Sequence, residues 1–221
     1  MRIFMPIIRD NDLMIHEILP VGPLQCNCSI LGDETSREAI VVDPGDDIQK
    51  IFAILLRHKL TVKYIVITHA HIDHIAGAQQ LKRLTAAPIL YNQNDLSLVK
   101  MMDLQASWLG MPTPEVTAPD APLTEGQTIA VEGISGSVLH TPGHTQGSVC
   151  LYIPECSLLL AGDTLFAGSV GRTDLPGGNA RQLIDSIQSK LMALPEQTIV
   201  VPGHGPNTTI GEEKESNPFL I

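Results

Sequence analysis

Basic residues, paired cysteines and long apolar runs are all scarce in this sequence. The 221 residues include 14 lysines and arginines against 24 aspartates and glutamates, which gives a formal net charge of −10. A surface of this sign repels nucleic acids and anionic membranes, so we expect neither as a partner. No apolar run reaches the roughly 20 residues that span a bilayer, and residues 1–19 lack the apolar segment of a signal peptide. These absences predict a cytoplasmic protein.

The four cysteines include no C-x₂-C pair, so the sequence lacks the pattern of a zinc ribbon. Cys26 and Cys28 are only two residues apart, too close along the chain for an easy disulfide. We expect these two, together with Cys150 and Cys156, to be reduced and mostly buried thiols.

The chain length suits one domain, which we expect to span residues 1–221. Short β-branched or apolar runs predict strands over residues 29–31, 39–42, 62–68, 88–91, 128–131, 136–140, 148–153, 157–161 and 198–201. Apolar residues at helical spacing predict helices over residues 46–59, 75–84, 95–109 and 179–193. This order of elements predicts an α/β (α+β) protein with mixed sheets and outer helices.

Two further local signals concern a loop and a helix cap. Prolines 112, 114, 119 and 122 exclude a helix or the interior of a sheet over residues 111–122, so this segment is predicted to be an ordered loop or a lid. Thr209 and Glu212 predict a capping box for a short terminal helix.

Five of the eight histidines fall in short motifs with other potential metal ligands. The densest motif is Thr68-His69-Ala-His71-Ile-Asp73-His74. His69 and His71 are two residues apart, so an extended segment points both the same way. Asp73 and His74 follow where the chain turns into a helix, so they can face a neighbouring position. Four ligands this close together would crowd one metal ion, but they can serve two adjacent ions.

Three further potential ligands lie in loops near predicted strands. His144 lies in Thr141-Pro-Gly-His144-Thr, Asp163 follows the strand over residues 157–161, and His204 follows the strand over residues 198–201. Each has a glycine beside it, and glycine permits a tight turn that exposes a ligand. Loops at strand ends are where α/β proteins usually build sites.

Taken in order, these residues resemble the H-x-H-x-D-H motif and the later His, Asp and His positions of the metallo-β-lactamase superfamily. The resemblance runs from Ser29 to His204 and implies an αββα sandwich of two mixed β-sheets with outer helices. It also implies two divalent metal ions, zinc in the first place, with iron or manganese as alternatives. The implied ligands are His69, His71 and His144 for the first ion, Asp73, His74 and His204 for the second, and Asp163 for both.

The resemblance also gives Asp43 a role. Asp43 ends a predicted strand in Val-Val-Asp43-Pro-Gly, and the superfamily has an aspartate there that supports the ligand histidines. Such a carboxylate orients a metal-bound imidazole. The alternative is a turn-forming aspartate before a proline. His16, His58 and His140 are interpreted as ordinary capping or core residues, with a supporting position behind the ligands left open for His140.

The expected chemistry is hydrolysis. Two divalent ions outweigh the negative charge of Asp73, Asp163 and a bridging hydroxide, so the site stays electrophilic. Metal binding lowers the pKa of water to about 7, so the hydroxide exists at neutral pH and can attack a carbonyl. Asp73 is the candidate catalytic residue because it can take the proton. A thioester suits this site because a thiolate leaves without a dedicated acid, whereas an amide nitrogen needs one.

Three segments resemble the compact glyoxalase II-like branch of the superfamily. They are Phe166-Ala-Gly-Ser-Val-Gly-Arg172-Thr-Asp-Leu-Pro-Gly, Gly203-His204-Gly-Pro and Asn217-Pro-Phe. This resemblance implies a small-molecule substrate, S-D-lactoylglutathione or a related hydroxyacyl thioester. Arg172 is then the natural anion contact or a structural clamp, and a surface salt bridge is the alternative.

Full-length glyoxalase II adds a C-terminal helical domain that carries much of its glutathione contact. Only 17 residues follow His204 in this chain, so that domain is not expected. Residues 111–122 and the preceding helix are the candidates to cover the site instead.

A rival on the same fold is persulfide dioxygenase, which uses one iron at the equivalents of His69, His144 and Asp163. Val170 and Leu175 stand where those enzymes usually have Cys and Phe, which favours the hydrolase. Lactonase, β-lactamase-like and nuclease relatives are further alternatives, but a nuclease would want a basic surface. A non-enzymatic binding module would be expected to lose a ligand, and none is lost.

A monomer or a homodimer is expected, with residues 101–111 as a core helix or a dimer contact.

Overall fold

Two mixed six-stranded sheets form the centre of the structure, which is a computed structural model that describes residues 14–221. The prediction that residues 1–19 do not form a signal peptide therefore concerns, for residues 1–13, a segment outside the described residues. The first half of the chain supplies β1 (Met14–Val21), β2 (Cys26–Asp33), β3 (Glu38–Val42), β4 (Thr61–Val66), β5 (Ile89–Tyr91) and β6 (Ala121–Pro122). They form the first sheet in the order β1-β2-β3-β4-β5-β6, antiparallel up to β3 and parallel from β3 onward.

The second half supplies β7 (Thr128–Val131), β8 (Ile134–His140), β9 (Val149–Ile153), β10 (Leu158–Gly162), β11 (Leu165–Phe166), β12 (Ser169–Val170), β13 (Ile199–Pro202) and β14 (Thr208–Thr209). The second sheet has the order β14-β13-β10-β9-β8-β7. Its one parallel pair of neighbouring strands is β10 and β13, and the other neighbours are antiparallel. Strands β11 and β12 form a separate two-stranded ribbon.

Helices cover the outer faces of the sheets. They are α1 (Ile48–His58), α2 (Ile72–Ile75), α3 (Ala78–Thr85), α4 (Leu96–Val99), α5 (Met102–Leu109), α6 (Ala180–Ser186) and α7 (Ile210–Ser216). Short 3₁₀ turns occupy Gln93–Asp95 and Pro154–Cys156, and a π-helical turn at Ile187–Leu191 continues α6. No helix among residues 14–221 is both long enough and apolar enough to cross a bilayer.

Side-chain alternation along the strands builds three cores. In β3, Val41 packs outward against the helices, whereas Ile40 and Val42 face the second sheet. In β10, Leu160 faces the first sheet and Leu159 faces α6. Strands β3 and β10 therefore bury both of their faces, which is why these two segments read as continuous apolar runs. The layers are helix, sheet, sheet and helix, which confirms the predicted αββα sandwich.

Most local predictions match the structure. Helix α1 buries Ile48, Ile51 and Leu55 at helical spacing. The capping box of α7 is present, because Thr209 accepts a hydrogen bond from the amide of Glu212 and the Glu212 carboxylate accepts one from the amide of Thr209. The four cysteines are unpaired thiols, three of them buried.

Two predicted helices need correction, and two further segments contain strands that were not predicted. The predicted helix over residues 95–109 is broken into a 3₁₀ turn, α4 and α5. Asp95 in the turn and Gln105 in α5 accept hydrogen bonds from the amides of Ala70 and Ile72, so the segment is held at two points along the chain after β4. The predicted helix over residues 75–84 is likewise two helices, α2 and α3. Residues 14–21, which carried no prediction, form β1. Residues 111–122 end in β6, an edge strand, where a proline without an amide hydrogen is tolerated.

Candidate metal centre

All seven predicted ligands come together at one edge of the sandwich, where strands of both sheets end. β3 and β4 run parallel in one sheet and β10 and β13 run parallel in the other, so their carboxyl ends meet there. The loops after β4, β8, β10 and β13 carry the ligands. These are His69, His71, Asp73 and His74 after β4 and in α2, His144 after β8, Asp163 after β10 and His204 after β13.

Three imidazole nitrogens form the first group. His69 Nε2 lies 3.1 Å from His71 Nδ1, His144 Nε2 lies 3.2 Å from His69 Nε2, and His144 Nε2 lies 3.0 Å from His71 Nδ1. Zinc–nitrogen bonds of about 2.0–2.1 Å in tetrahedral geometry separate the ligand nitrogens by roughly 3.3 Å. The three atoms are therefore spaced as ligands of one metal ion.

The protonation pattern of this group leaves lone pairs facing one another. His144 donates through Nδ1 to the carbonyl oxygen of Arg172 at 2.8 Å, and His69 Nδ1 lies 3.2 Å from the hydroxyl of Thr68. A neutral imidazole has one N–H, so the Nε2 atoms of His69 and His144 are then bare acceptors. Burial and the neighbouring imidazoles lower the pKa of His69, and burial above all lowers the pKa of His71 to about 3. A cation at the centre would satisfy all three lone pairs.

The second group joins two imidazoles and a carboxylate. His204 Nε2 lies 3.1 Å from Asp73 Oδ2 and 3.3 Å from His74 Nε2, and His74 Nε2 lies 3.6 Å from Asp73 Oδ2. The far nitrogens are again engaged, since His74 Nδ1 lies 2.9 Å from Asp43 Oδ2 and His204 Nδ1 lies 3.0 Å from the carbonyl oxygen of Leu24. The donor set of this group suits a second divalent ion.

Asp163 lies between the two groups. Its Oδ1 atom is 3.4 Å from His74 Nε2, and its Oδ2 atom is 3.6 Å from His144 Nε2. Burial would raise the pKa of Asp163, but His74 and His144 lower it, so the carboxyl is ionised. Oδ1 is also buried without a hydrogen-bond partner among the described residues. Because buried carboxylate oxygens are normally paired, this orphaned oxygen fits a metal ligand that reaches both groups.

Asp43 binds the ligand His74 and also Thr68, the residue that precedes the ligand His69. Its Oδ1 atom accepts a hydrogen bond from the amide of Thr68 at 2.7 Å, and its Oδ2 atom accepts one from the Thr68 hydroxyl at 2.7 Å and one from His74. Thr68 in turn contacts His69. Asp43 is buried and adopts a left-handed backbone conformation, with φ of 53°. It therefore lies behind both metal groups and does more than terminate a turn.

Asp95 is a buried carboxylate that sequence reasoning missed. Its Oδ2 atom accepts hydrogen bonds from the Ala70 amide and the Thr145 hydroxyl, both at 2.9 Å, and its Oδ1 atom accepts one from the Gly147 amide at 2.6 Å. Ala70 lies between His69 and His71, and Thr145 follows His144. Asp95 thus ties together the two loops that form the first group. Its partners are distant in sequence, so no local pattern indicated them.

Gly203 lets the loop after β13 pass close to the centre. A Cβ atom at Gly203 would collide with Asp163 Oδ1 and with the ring of His74. This close approach explains why a glycine directly precedes His204.

The three remaining histidines are kept apart from the constellation. His16 contacts the hydroxyl of Ser29, and His58 pairs with Glu17 at 2.8 Å. His140 lies 2.9 Å from the carbonyl oxygen of Gln146 and so braces the loop that carries His144, without touching a ligand.

Arg172 reaches the site mainly through its backbone. Its guanidinium makes a two-bond ion pair with Asp174, each bond 2.7 Å, and its side chain is 62% exposed. The surface salt bridge that sequence reasoning kept as an alternative is therefore present. Its carbonyl oxygen orients His144, and its side chain also lines the cleft above the centre.

A cleft of about 580 Å³ opens above the two groups. Its floor is polar and consists of potential ligands, whereas its walls are mostly apolar. The lining residues are Leu24, His71, Ile72, Asp73, Gln105, Trp108, Leu109, His144, Asp163, Arg172, Leu175 and His204. Helix α5, which precedes the proline-rich loop, contributes Gln105, Trp108 and Leu109 to the walls. Residues 111–122 contribute no lining residue.

Comparison with known proteins agrees with this geometry. The sequence model of the metallo-beta-lactamase superfamily matches residues 21–204. Hydroxyacylglutathione hydrolase GloC of Haemophilus influenzae is 38% identical over 206 residues, which cover 92% of this chain and 97% of that protein.

Two solved structures are similar over almost the whole chain. BLEG-1, a B3 metallo-beta-lactamase, superposes with a TM-score of 0.87 at 37% identity and covers 93% of this chain and 99% of its own. TTHA1623 in a di-iron-bound form gives a TM-score of 0.81 at 39% identity and covers 92% of this chain and 100% of its own.

Proposed function

The chain belongs to the metallo-beta-lactamase superfamily, and on that premise we propose that it is a metal-dependent hydrolase of hydroxyacyl thioesters. The observation that carries this proposal is the arrangement of seven imidazole and carboxylate ligands in two groups that share Asp163. We propose zinc as the resident metal, with iron as the first alternative because the similar TTHA1623 binds two irons.

Metal ions held by these residues would act as Lewis acids and lower the pKa of water. Asp73 is the carboxylate best placed to take up a proton. It lines the cleft, its side chain is 16% exposed, and it lies 3.1 Å from His204 Nε2. Burial would raise the pKa of Asp73, but His74 and His204 lower it, so the group is ionised at neutral pH, which is the form that a proton acceptor must have.

The composition of the cleft supports a thioester over an amide. The imidazoles and carboxylates that line it are all proposed ligands, and Arg172 does not release its proton. An amide nitrogen therefore finds no obvious acid among the described lining residues, whereas a thiolate leaves without one. The similarity to GloC supports a glutathione thioester such as S-D-lactoylglutathione as a substrate to test first.

A second candidate activity is β-lactam hydrolysis, which the similarity to BLEG-1 favours. The two activities differ in the bond that is cut, so a substrate panel separates them. We propose a small-molecule substrate and no nucleic-acid or membrane partner. The core shared by both sheets supports one domain. We also propose that the protein is a monomer or a homodimer.

The decisive experiment combines metal analysis with that panel. The protein is purified, its metals per chain are measured, and hydrolysis of S-D-lactoylglutathione, a lactone and nitrocefin is followed alongside oxidation of glutathione persulfide. We expect two metals per chain and fastest turnover of the thioester. One iron per chain with persulfide oxidation and no thioester cleavage would contradict the proposal.

A further inference from the structure

The mouth of the cleft is apolar on several sides. Leu24 is 45% exposed, Trp108 53% and Leu109 41%, and all three line the cleft above the ligands. Leu175 adds a half-buried apolar side chain. Leu24 comes from the loop after β1 and Trp108 from the end of α5, so separate parts of the chain converge on this mouth. Exposed apolar side chains that converge around a site indicate a ligand that covers them.

The helix that carries Trp108 is held against the segment that bears the proposed metal ligands. Gln105, one turn earlier in α5, accepts a hydrogen bond from the amide of Ile72 at 3.0 Å, and Ile72 lies between His71 and Asp73. Met102 and Ala106 are buried and anchor the inner face of α5. The helix that carries Trp108 is thus bonded directly to the ligand-bearing segment.

The polar groups of the walls are already engaged. The amide nitrogen of Gln105 donates to the carbonyl oxygen of Leu98 at 3.0 Å, and its oxygen accepts from Ile72. Arg172 is the one cationic side chain among the described residues that line the cleft, and it is paired with Asp174. A carrier with several carboxylates would therefore meet no unpaired cation on the walls, in a protein whose net charge is −10.

From these contacts we infer that the walls select the thiol carrier: Trp108, with Leu24 and Leu109, binds an apolar arm, and the preferred thioester has an aromatic or aliphatic thiol in place of glutathione. This inference rests on the proposed thioester hydrolysis and names its substrate class. Trp108 is the main specificity-determining residue because it offers the largest apolar surface of the three.

The first test measures binding without turnover. Trp108 is the only tryptophan of the chain, so its fluorescence reports on the mouth of the cleft. The ligands are two thioethers in which a methylene replaces the carbonyl of the lactoyl thioester, one made from benzyl mercaptan and one from glutathione. In the metal-loaded protein, the benzyl compound is expected to shift the emission to shorter wavelength and to bind at least ~10-fold more tightly.

Variants locate the effect on the wall. Trp108→Ala is expected to weaken calorimetric binding of the benzyl thioether roughly 10-fold and of the glutathione thioether less than about twofold. Trp108→Phe should keep most of the benzyl affinity. Leu104→Ala is the matched control, because Leu104 lies on the same helix with 44% exposure but does not line the cleft. It should change neither affinity.

The outcomes separate this inference from the proposed function. Equal affinity for the two thioethers, an unchanged emission at saturation, or equal damage from Leu104→Ala and Trp108→Ala would overturn the apolar wall. Hydrolysis is then measured with the lactoyl thioesters of both thiols. If the metal-loaded protein cleaves neither, thioester hydrolysis is wrong as a function, while the thioether affinities still decide whether the wall binds an apolar arm.

Discussion

The Nδ1 atom of His74 lies 2.9 Å from the Oδ2 atom of Asp43, and both side chains are buried. This hydrogen bond sets the imidazole so that Nε2 faces the second group of ligands. The same carboxylate holds Thr68, which precedes His69. One aspartate outside the ligand set therefore controls the orientation of ligands in both groups.

Replacing Asp43 should weaken metal binding. We expect Asp43→Ala to lower metal affinity roughly 10- to 100-fold, the usual effect of removing a carboxylate behind a ligand histidine. Competition with a chromophoric chelator measures this affinity. Asp46→Ala, three residues away and exposed, is the control and should bind metal like the wild type. Equal affinity in Asp43→Ala would show that Asp43 only terminates the strand.

Replacing Asp73 should separate catalysis from folding. We expect Asp73→Asn to reduce kcat for the thioester about 100-fold or more, because the amide cannot take up a proton. Thermal unfolding of the metal-free protein should stay near that of the wild type. The rate is compared at metal concentrations that saturate both proteins. A kcat equal to that of the wild type under those conditions would rule out the catalytic assignment.

Asp95 should matter for stability as well as for the site. In Asp95→Asn, an NH₂ group replaces one of the two acceptor oxygens. That NH₂ group then faces donors, which are the Gly147 amide on one side or the Ala70 amide and the Thr145 hydroxyl on the other. We expect a loss of about 2 kcal/mol in the free energy of unfolding, the scale of a lost hydrogen bond to a charged group. Urea unfolding of the metal-free protein measures it.

The control for Asp95 is Asp103→Asn, an exposed change on α5 that should leave the free energy of unfolding within about 0.5 kcal/mol of the wild type. Metal affinity of Asp95→Asn should also fall, because both loops of the first group lose their shared acceptor. A variant with full stability and full metal affinity would contradict the bracing role.

His16 should make the metal-free protein sensitive to mild acid. Burial lowers the pKa of His16 to about 4, against the opposing charge of Glu17. Below the unfolded pKa of about 6.5, the imidazole binds a proton in the unfolded protein but stays neutral in the folded protein. The free energy of unfolding therefore falls as the pH is lowered from about 6.5 towards 4. When the pH is lowered from 7 to 4, the free energy of unfolding of both proteins should fall. We expect the fall to be smaller in His16→Asn than in the wild type by at least ~1 kcal/mol.

That difference is measured by urea unfolding at both pH values, with a chelator present so that metal release does not contribute. His58→Asn is the matched control, because His58 is a surface partner of Glu17 on α1. Parallel pH profiles for the wild type and His16→Asn would show that His16 is hydrated in the folded state.

Local sequence determined the parts of the fold that depend on short-range patterns. The apolar run of β3 buries both of its faces, β4 buries Val62, Ile65 and Val66, and the spacing of Ile48, Ile51 and Leu55 forms α1. The break between α4 and α5 had no such signal, because Leu96–Val99 and Met102–Leu109 are both helical locally. In the folded chain, Asp95 before α4 and Gln105 in α5 bind the amides of Ala70 and Ile72, contacts that no local pattern indicates.

The seven-residue constellation was likewise present in the sequence, because closely spaced histidines and aspartates beside glycines have few other uses. The superfamily motif already implied their division into two groups around Asp163, whereas only the tertiary structure decided the distances within and between the groups. It also decided which acceptor fixes each imidazole, since Asp43 and His74 are 31 residues apart and His204 and Leu24 are 180 apart. The contacts of Asp95 and the apolar mouth around Trp108 arise in the same way, from loops that meet only when both sheets have packed.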